Sequence, residues 1–324
     1  MRYLVTGGAG FIGSHLAEAL VRDGHHARVL DNFSTGRREN LPAVSRGRLE
    51  MVEGDIRDAA LLCRCAEDVD GIFHQAALVS VQESVERPDR SADINARGTV
   101  NVLQAARAAG AKRVVLASSA AVYGDNTDLP LREDQLPQPL SPYGLDKLYA
   151  EKAGELYHAL FGVQVMALRY FNVYGPRQRS DSPYSGVISV FMDAVSGGRP
   201  VTIYGDGEQS RDFVHVQDVV QANLLAMQAP LTGYQVFNVA NGQSVALKEL
   251  LDLVWLTLGR KTGIAYAPAR SQDIRHSRAD IGRIRAALGY RPRWALREGL
   301  RALASGRPDM RPAAHGPQQG NGQA

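Results

Sequence analysis

The chain has 324 residues, 44% hydrophobic and 22% charged, with a formal net charge of +3. That is an ordinary folded-protein profile, long enough for one large or two medium domains. It excludes several classes: the charge is too small and too scattered to point to nucleic acid, and no run reaches the length of a membrane span. Cys63 and Cys65 stand too close together for an ordinary disulfide framework, and no Cys/His cluster suggests a metal site. Met1 leads straight into a strand-like Arg2-Tyr3-Leu4-Val5 with no signal peptide, so a reducing, cytoplasmic setting is expected.

Tyr3-Leu4-Val5 reads as a short buried strand running into Thr6-Gly7-Gly8-Ala9-Gly10-Phe11-Ile12-Gly13. Phe11, Ile12, Leu16, Ala17, Leu20 and Val21 then form one helix face. Glycines at 7, 10 and 13 permit a tight turn and let backbone approach a pyrophosphate, whose charge sits at the helix N-terminus. A glycine-rich turn without a ligand has the same local look. The second strand, Ala27-Arg28-Val29-Leu30, favours a dinucleotide because it ends in Asp31. An acid there can accept hydrogen bonds from an adenosine ribose, which favours NAD over NADP. Arg37 and Arg38 come soon after; they read as solvated loop charges, with a 2′-phosphate as the alternative partner.

Strand and helix patterns keep alternating. Leu49 to Val52 is a strand followed by Gly54-Asp55-Ile56, and Gly71-Ile72-Phe73-His74 is a strand followed by Gln75-Ala76-Ala77. Ser91 to Ala109 is a helix carrying Asn95, and Arg113 to Ala117 is a strand followed by Ser118-Ser119. Next comes Ser141-Pro142-Tyr143-Gly144-Leu145-Asp146-Lys147, in which Ser141 reads as an N-cap and Pro142 as the first helical residue. Leu145, Tyr149, Ala153, Leu156 and Leu160 give that helix one apolar face, and Tyr143 and Lys147 share a side. An ammonium beside a phenol favours the phenolate. Working as a base near pH 7 takes roughly 4 kcal/mol of relative anion stabilisation from a phenol pKa of about 10. Val163 to Leu168 is a further strand. Such alternation means parallel βαβ units, whose ligands lie beyond the carboxyl ends of the strands. Ser119 and Tyr143 therefore reach one crevice. By itself Ser119 also reads as a strand-end cap, and Asn95 as a residue bonding local backbone.

After Leu168 the rhythm breaks. Tyr170-Phe171-Asn172-Val173-Tyr174 leads into a loop rich in Ser, Pro and Gly up to Gly186. Val187 to Val195 is a helix, Val201 to Tyr204 a strand, and Gly205-Asp206-Gly207 a turn. Helices follow at Asp218 to Ala229, Leu247 to Leu258 and, last, Ile281 to Leu288. This half is mixed α and β. The fold class is α/β: a Rossmann-type doubly wound parallel sheet with a smaller mixed α/β substrate-binding C-terminal domain.

With these residues in hand, the chain resembles the extended short-chain dehydrogenase/reductase family, and within it the nucleotide-sugar 4-epimerases. The resemblance runs from Met1 to about Arg301. It is carried by the glycine motif, Asp31, Asp55-Ile56, His74-Gln75-Ala76-Ala77, Asn95, Ser118-Ser119 before Val122-Tyr123-Gly124, and Tyr143 with Lys147, all in family order. It implies tightly held NAD, contacted by Gly7, Gly10, Phe11, Ile12, Gly13, Asp31, Asn32, Asp55, Ile56, Ala76, Asn95, Tyr143, Lys147 and Tyr170. It implies a catalytic set of Ser119, Tyr143 and Lys147, with Tyr143 as base, Ser119 on the sugar 4-oxygen and Lys147 lowering the pKa of Tyr143. It also implies a domain plan: 1–174 for NAD, rejoined by about 212–240; 175–211 and 241–304 for substrate; 305–324 a disordered tail.

For the substrate, the resemblance carries over Ser80, Ser119, Tyr143, Asn172, Val187, Ile188, Tyr204, Arg211, Arg270, Asp273 and Ser277. Related dehydratases and decarboxylases carry acids before the Tyr-Gly, whereas this chain has Ala120-Ala121-Val122, which argues for epimerisation. In the family, the position of Ser277 is a size gate beside the sugar's C2 substituent, and a small residue admits an N-acetyl group. Ser80 also fits relatives that handle N-acetylated sugars. Val79, where galactose-type enzymes often carry Lys, departs from them. The expected substrate is UDP-N-acetylglucosamine, with some UDP-glucose activity. The alternatives are a UDP-glucose-only or UDP-glucuronate epimerase, a net reductase, and a non-enzymatic NAD-binding protein. A homodimer through the helices at 91–109 and 142–160 is likewise an implication of the resemblance.

Overall fold

A computed structural model describes residues 1–41, 47–179, 186–269 and 274–306. The N-terminal two-thirds alternates β1 (Arg2–Thr6), α1 (Phe11–Arg22), β2 (His26–Asp31), β3 (Leu49–Glu53), α2 (Ala59–Ala66) and β4 (Gly71–His74). Then come α3 (Val81–Glu86), α4 (Pro88–Ala92), a π-helical turn Asp93–Arg97, α5 (Gly98–Ala109), β5 (Val114–Ser119), α6 (Pro142–Phe161) and β6 (Val165–Tyr170). The expected helix over 91–109 is thus one helical run that begins earlier, at Pro88, and is widened into a π turn around Asn95. Proline starts it, since its fixed φ suits a first turn and its missing N–H has no helical partner to lose.

The C-terminal part comprises β7 (Asn172–Tyr174), α7 (Val187–Ser196), β8 (Val201–Tyr204), β9 (Ser210–Arg211), β10 (Phe213–His215), α8 (Val216–Gln228) and β11 (Tyr234–Val239). It ends with β12 (Val245–Ala246), α9 (Leu247–Leu258), β13 (Ile264–Ala267), α10 (Gly282–Leu288) and α11 (Leu296–Ala304). Several elements are absent from the sequence reading, among them α2, α3, β11 and β13, and α11 comes after the helix expected to be last.

Seven strands form one parallel sheet in the order β11-β6-β5-β4-β1-β2-β3. Consecutive halves are wound outward from β1 and β4, so the order reverses there and leaves a crevice at their carboxyl ends. Valine, leucine and isoleucine fill these strands because both sheet faces are covered by helices. One core cluster lies on the α1 and α8 face and another on the α2, α5 and α6 face. A separate cluster, with Ile188, Phe191, Ile203, Leu250, Leu251, Val254 and Leu300, forms the heart of the smaller lobe. The segment from Ala279 to Tyr290 packs into the first of these clusters, so it sits with the large sheet and not with the 241–304 lobe. The part of the expected tail from 307 onward lies outside the described residues.

The ends of α6 follow the sequence chemistry. Ser141 Oγ accepts from Gly144 N at 3.1 Å, Pro142 opens the helix, and Gly162 closes it with φ 72°. Its apolar stripe, however, faces outward. Leu145, Tyr149, Leu156 and Leu160 are 58%, 47%, 54% and 62% exposed, while Ala150, Ala153 and Gly154 meet the sheet. Small residues face inward because the helix lies close on β5 and β6; a Cβ at Gly154 would stand 2.9 Å from a Val165 methyl. Among the described residues, no helix is long and apolar enough to cross a membrane.

Candidate active site

The crevice at the carboxyl ends of β1 and β4 begins with the glycine turn. Gly7 has φ +66°, and a Cβ there would stand 2.6 Å from the backbone N of Ala76. A Cβ on Gly13 would stand 2.2 Å from the carbonyl oxygen of Gly7. Side chains at either position would therefore push the turn, α1 and the Ala76 loop apart. No side chain caps α1, so its first amides point outward as an anion site would require. Asp31, 7% exposed, holds the turn from the next strand: Oδ2 accepts from Ala9 N and Oδ1 from Phe33 N, both at 2.9 Å. These features fit a dinucleotide pyrophosphate at α1 with its adenosine near Asp31.

The neighbouring groups favour NAD over its 2′-phosphate. Asn32 donates to Asp55 at 2.9 Å, and Arg57 grips Asp55 through two nitrogens, holding that carboxyl at about 2. Arg38 is turned onto Glu53 and lies 4.3 Å above the Phe33 ring. Asp31, Glu53 and Asp55 thus line the exits of β2 and β3 with carboxylates, which repel a phosphate. Ile56 is buried against Gly98 at the start of α5.

Asn95 does not bond backbone within its own helix through its amide. Its Oδ1 accepts from Leu78 N at 2.8 Å and its Nδ2 donates to Leu78 O at 3.0 Å, so it clamps the stretch after β4 that carries Ala76 and Ser80. Tyr170 ends β6 with its phenol bonded to Asn223 at 2.8 Å and to Gln75 at 3.1 Å. Both Asn95 and Tyr170 are buried and shape the crevice floor.

Ser119, Tyr143 and Lys147 come together where the sequence brings β5 beside α6. Ser119 Oγ accepts from Ala121 N at 3.1 Å, which is the strand-end cap, and it also hydrogen-bonds the Tyr143 phenol. The strand-end cap expected of Ser119 is thus present. Lys147, 6% exposed, donates from Nζ to Ala117 O at 2.9 Å and lies 5.7 Å from the centre of the Tyr143 ring. The net direction on Tyr143 differs from the expectation. Burial raises its pKa above that of a free phenol, against the Ser119 hydrogen bond, and Asp146 adds to the rise. Burial likewise lowers Lys147 to about 8, with Asp146 opposing. In the chain by itself the phenol is an acid, and more positive charge is needed to make it a base at neutral pH.

The residues carried over for the substrate divide. Asn172 lies in β7 with its amide on Asp212 O at 3.4 Å, Tyr204 ends β8 at 38% exposure, and Arg211 in β9 donates to Ser210 O at 2.9 Å. Ser277, 5% exposed, is bonded from its N to Ser210 O at 3.0 Å, which places it beside Arg211. Arg275 fixes that segment by a two-pronged pair with Asp206 at 2.7 and 2.9 Å. Ile188 is 1% exposed within the small-lobe core and Val187 packs against that core, so Ile188 can offer a ligand backbone only. Ser80 caps α3, its Oγ accepting from Glu83 N at 3.0 Å. Arg270 and Asp273 lie outside the described residues. No cluster of His, Cys, Asp and Glu among the described residues could hold a metal.

Several supporting residues were not singled out from the sequence. Ser84 accepts from the Tyr143 backbone N at 3.1 Å, Glu151 accepts from Ser118, and Ser91 donates to Asp146. Their one sequence signal is a polar residue on the inward side of a helix.

Fold and site together define a Rossmann-type protein with a glycine turn shaped for a dinucleotide at one crevice and a Ser-Tyr-Lys group where β5 meets α6. A profile of the NAD dependent epimerase/dehydratase family matches residues 3–240. The UDP-glucose 4-epimerase of Mycolicibacterium smegmatis is 41% identical over 303 residues, 93% of this chain and 96% of its own. Among solved structures, the UDP-N-acetylglucosamine 4-epimerase of Methanobrevibacter ruminantium, in complex with UDP-N-acetylmuramic acid, superposes with TM-score 0.89 at 37% identity. It covers 94% of this chain and 98% of its own. The Thermus thermophilus UDP-glucose 4-epimerase in complex with NAD gives TM-score 0.86 at 37% identity, covering 93% and 97%. The chain belongs to the NAD dependent epimerase/dehydratase family, and its cofactor is NAD.

Proposed function

We propose that this UDP-sugar 4-epimerase interconverts UDP-N-acetylglucosamine and UDP-N-acetylgalactosamine, and turns over UDP-glucose and UDP-galactose to a lesser degree. The observation that carries the choice of sugar is Ser277, a small side chain held beside Arg211 by its bond to Ser210. NAD, held by the glycine turn and Asp31, would supply the hydride acceptor and donor for C4 of the sugar. The chain's own groups do the rest. Tyr143 takes the proton of the 4-hydroxyl and later returns it, and Ser119 holds the 4-oxygen. Lys147 supplies positive charge beside the phenol, and Arg211 faces the diphosphate. Between the two transfers the 4-keto sugar turns in the site, which asks for few contacts on the sugar and strong ones on the nucleotide.

The test is proton NMR of UDP-N-acetylglucosamine, and separately of UDP-glucose, with purified protein and no added cofactor. Appearance of the N-acetylgalactosamine epimer is expected. Conversion of UDP-glucose alone overturns the choice of sugar, and conversion of neither, with NAD added and UDP-glucuronate also tried, overturns the reaction. Ser277→Tyr is expected to lower turnover of the N-acetyl sugar by at least about 100-fold while sparing UDP-glucose, since a clash rejects more strongly than a lost contact. Equal loss of both sinks the gate.

We further propose a homodimer through the helical runs at 91–109 and 142–160. The outward leucines of α6 support it, because four large apolar side chains exposed on one helix face cost free energy in water. The wild type is expected to sediment as a dimer, and Leu145→Asp with Leu156→Asp as a monomer. A monomeric wild type at micromolar concentration rules the interface out.

A further inference from the structure

Asp146 stands between Tyr143 and Lys147 in the sequence of α6, and its carboxylate is buried at 7% exposure. Oδ2 accepts from Ser91 Oγ at 2.5 Å and from Asn95 Nδ2 at 3.2 Å. Both partners are neutral and lie on the helical run that starts at Pro88, Asn95 within its π-helical turn. The same Asn95 amide brackets the backbone of Leu78. A carboxylate on α6 is thus joined through one side chain to the stretch after β4. A neutral acceptor, such as the oxygen of an asparagine, would satisfy the same two donors. What a carboxylate adds is charge, at a buried place where charge is costly.

We propose that Asp146 is a positioning residue for the Tyr143–Lys147 pair: it ties α6 to the Leu78 loop through Ser91 and Asn95 and sets a buried carboxylate next to Lys147 in the chain. This rests on Tyr143 and Lys147 being the proton-handling pair of the proposed reaction. The need for the counter-charge comes from the surroundings of Lys147. It is buried, its hydrogen bond among the described residues is to the neutral carbonyl of Ala117, and burial draws its proton off. His74 faces it from β4 but is uncharged, because burial and the Lys147 charge hold its pKa at about 3. Tyr143 faces it from its own helix, and Tyr170 faces Tyr143 from β6. Asp146 is the group that favours the cation. The same charge disfavours the Tyr143 phenolate.

The chain's lysines are Lys112, Lys147, Lys152, Lys248 and Lys261, few enough to resolve by NMR after labelling with ε-13C lysine. Lys147 is assigned by its loss in Lys147→Arg, and wild type, Asp146→Asn and Ser91→Ala are titrated as holoenzymes. Asp146→Asn is expected to lower the Lys147 midpoint by about one pH unit or more, with the alkaline limb of kcat moving down by the same amount. Ser91→Ala loosens the tether and keeps the charge, so it should lower kcat evenly across pH and leave the midpoint within about 0.3 unit. Should Asp146→Asn not fold, the neutral and smaller Asp146→Ser takes its place. An unmoved Lys147 midpoint in the neutral variants overturns the proposal, as does an equal shift in Ser91→Ala. The lysine signal does not depend on turnover. A shifted midpoint in a protein that epimerises nothing leaves the coupling standing and removes the proposed reaction, and turnover with a fixed midpoint does the reverse.

Discussion

Tyr143→Phe is expected to lower kcat by at least about 1000-fold and to leave NAD bound. The Tyr143 phenol meets Ser119, and Lys147 lies 5.7 Å from its ring centre. General acid–base groups of this kind contribute about 100- to 10,000-fold. The upper half of that range applies because the other hydroxyl, Ser119, is an alkyl alcohol that gives up its proton far less readily than a phenol and so is a poor replacement base. The size of the charge problem also points this way. Burial holds the phenol above its ordinary pKa, so more than about 4 kcal/mol of anion stabilisation is needed near pH 7. A unit charge 5.7 Å away supplies about 3 kcal/mol at an effective dielectric constant of about 20. Lys147 alone therefore falls short, and the positive charge of bound NAD would have to supply the rest. Phe keeps the ring and its packing, and the glycine turn and Asp31 are distant from the change, so the absorbance of bound cofactor should persist. The measurement is single-turnover and steady-state epimerisation by NMR with cofactor content by mass. A variant keeping a tenth of wild-type activity would remove Tyr143 from the role of base.

Glu151→Gln should be the most damaging change to the fold that leaves the crevice residues in place. Glu151 and Arg169 are 2% and 4% exposed and form two parallel bonds of 2.8 Å between α6 and β6. Ser118 donates to the same carboxylate, and Arg169 lies 4.8 Å above the Tyr123 ring. Burial works against the Arg169 charge, but the Glu151 carboxylate outweighs it and holds the guanidinium well above its ordinary pKa. Neutralising one partner strands a buried cation, which costs about 3–5 kcal/mol. For a protein of this size that corresponds to a fall in Tm of roughly 4–7 °C. Arg169→Met in the Glu151→Gln background should recover part of the loss, since the pair is replaced by apolar volume. Because Ser118 precedes Ser119 and Arg169 precedes Tyr170, activity should fall with stability. Thermal unfolding of the two single variants and the double variant measures the coupling; a shift under about 2 °C for Glu151→Gln would show the pair to be expendable.

The sequence by itself determined a good deal. Alternating apolar runs set β1 to β6 and the helices α1, α5 and α6, because strands buried on both faces and amphipathic helices leave periods that a short window detects. Glycines 7, 10 and 13 marked the turn, Ser141-Pro142 marked the start of α6, and the four-residue spacing set Tyr143 and Lys147 on one side. All of these are local: each depends on residues within one or two turns of one another.

What only the tertiary structure decided lies in pairs far apart in the chain. β11 reads poorly because its first half is Tyr-Gln-Val, yet it pairs with β6 along its whole length. Asp146 and Ser91 are 55 residues apart, Glu151 and Ser118 are 33, and Asn95 and Leu78 are 17. Each is polar on a buried face, which local periodicity treats as an interruption. The outward turn of Leu145, Tyr149, Leu156 and Leu160 is the reverse case. Periodicity finds the stripe, but which face meets the sheet depends on how close α6 must lie on β5 and β6, and small residues win that contact. Charge obeys the same division. Tyr143 beside Lys147 reads as an activated base from spacing alone, whereas burial sets the direction of both groups, and burial is a property of the assembled fold.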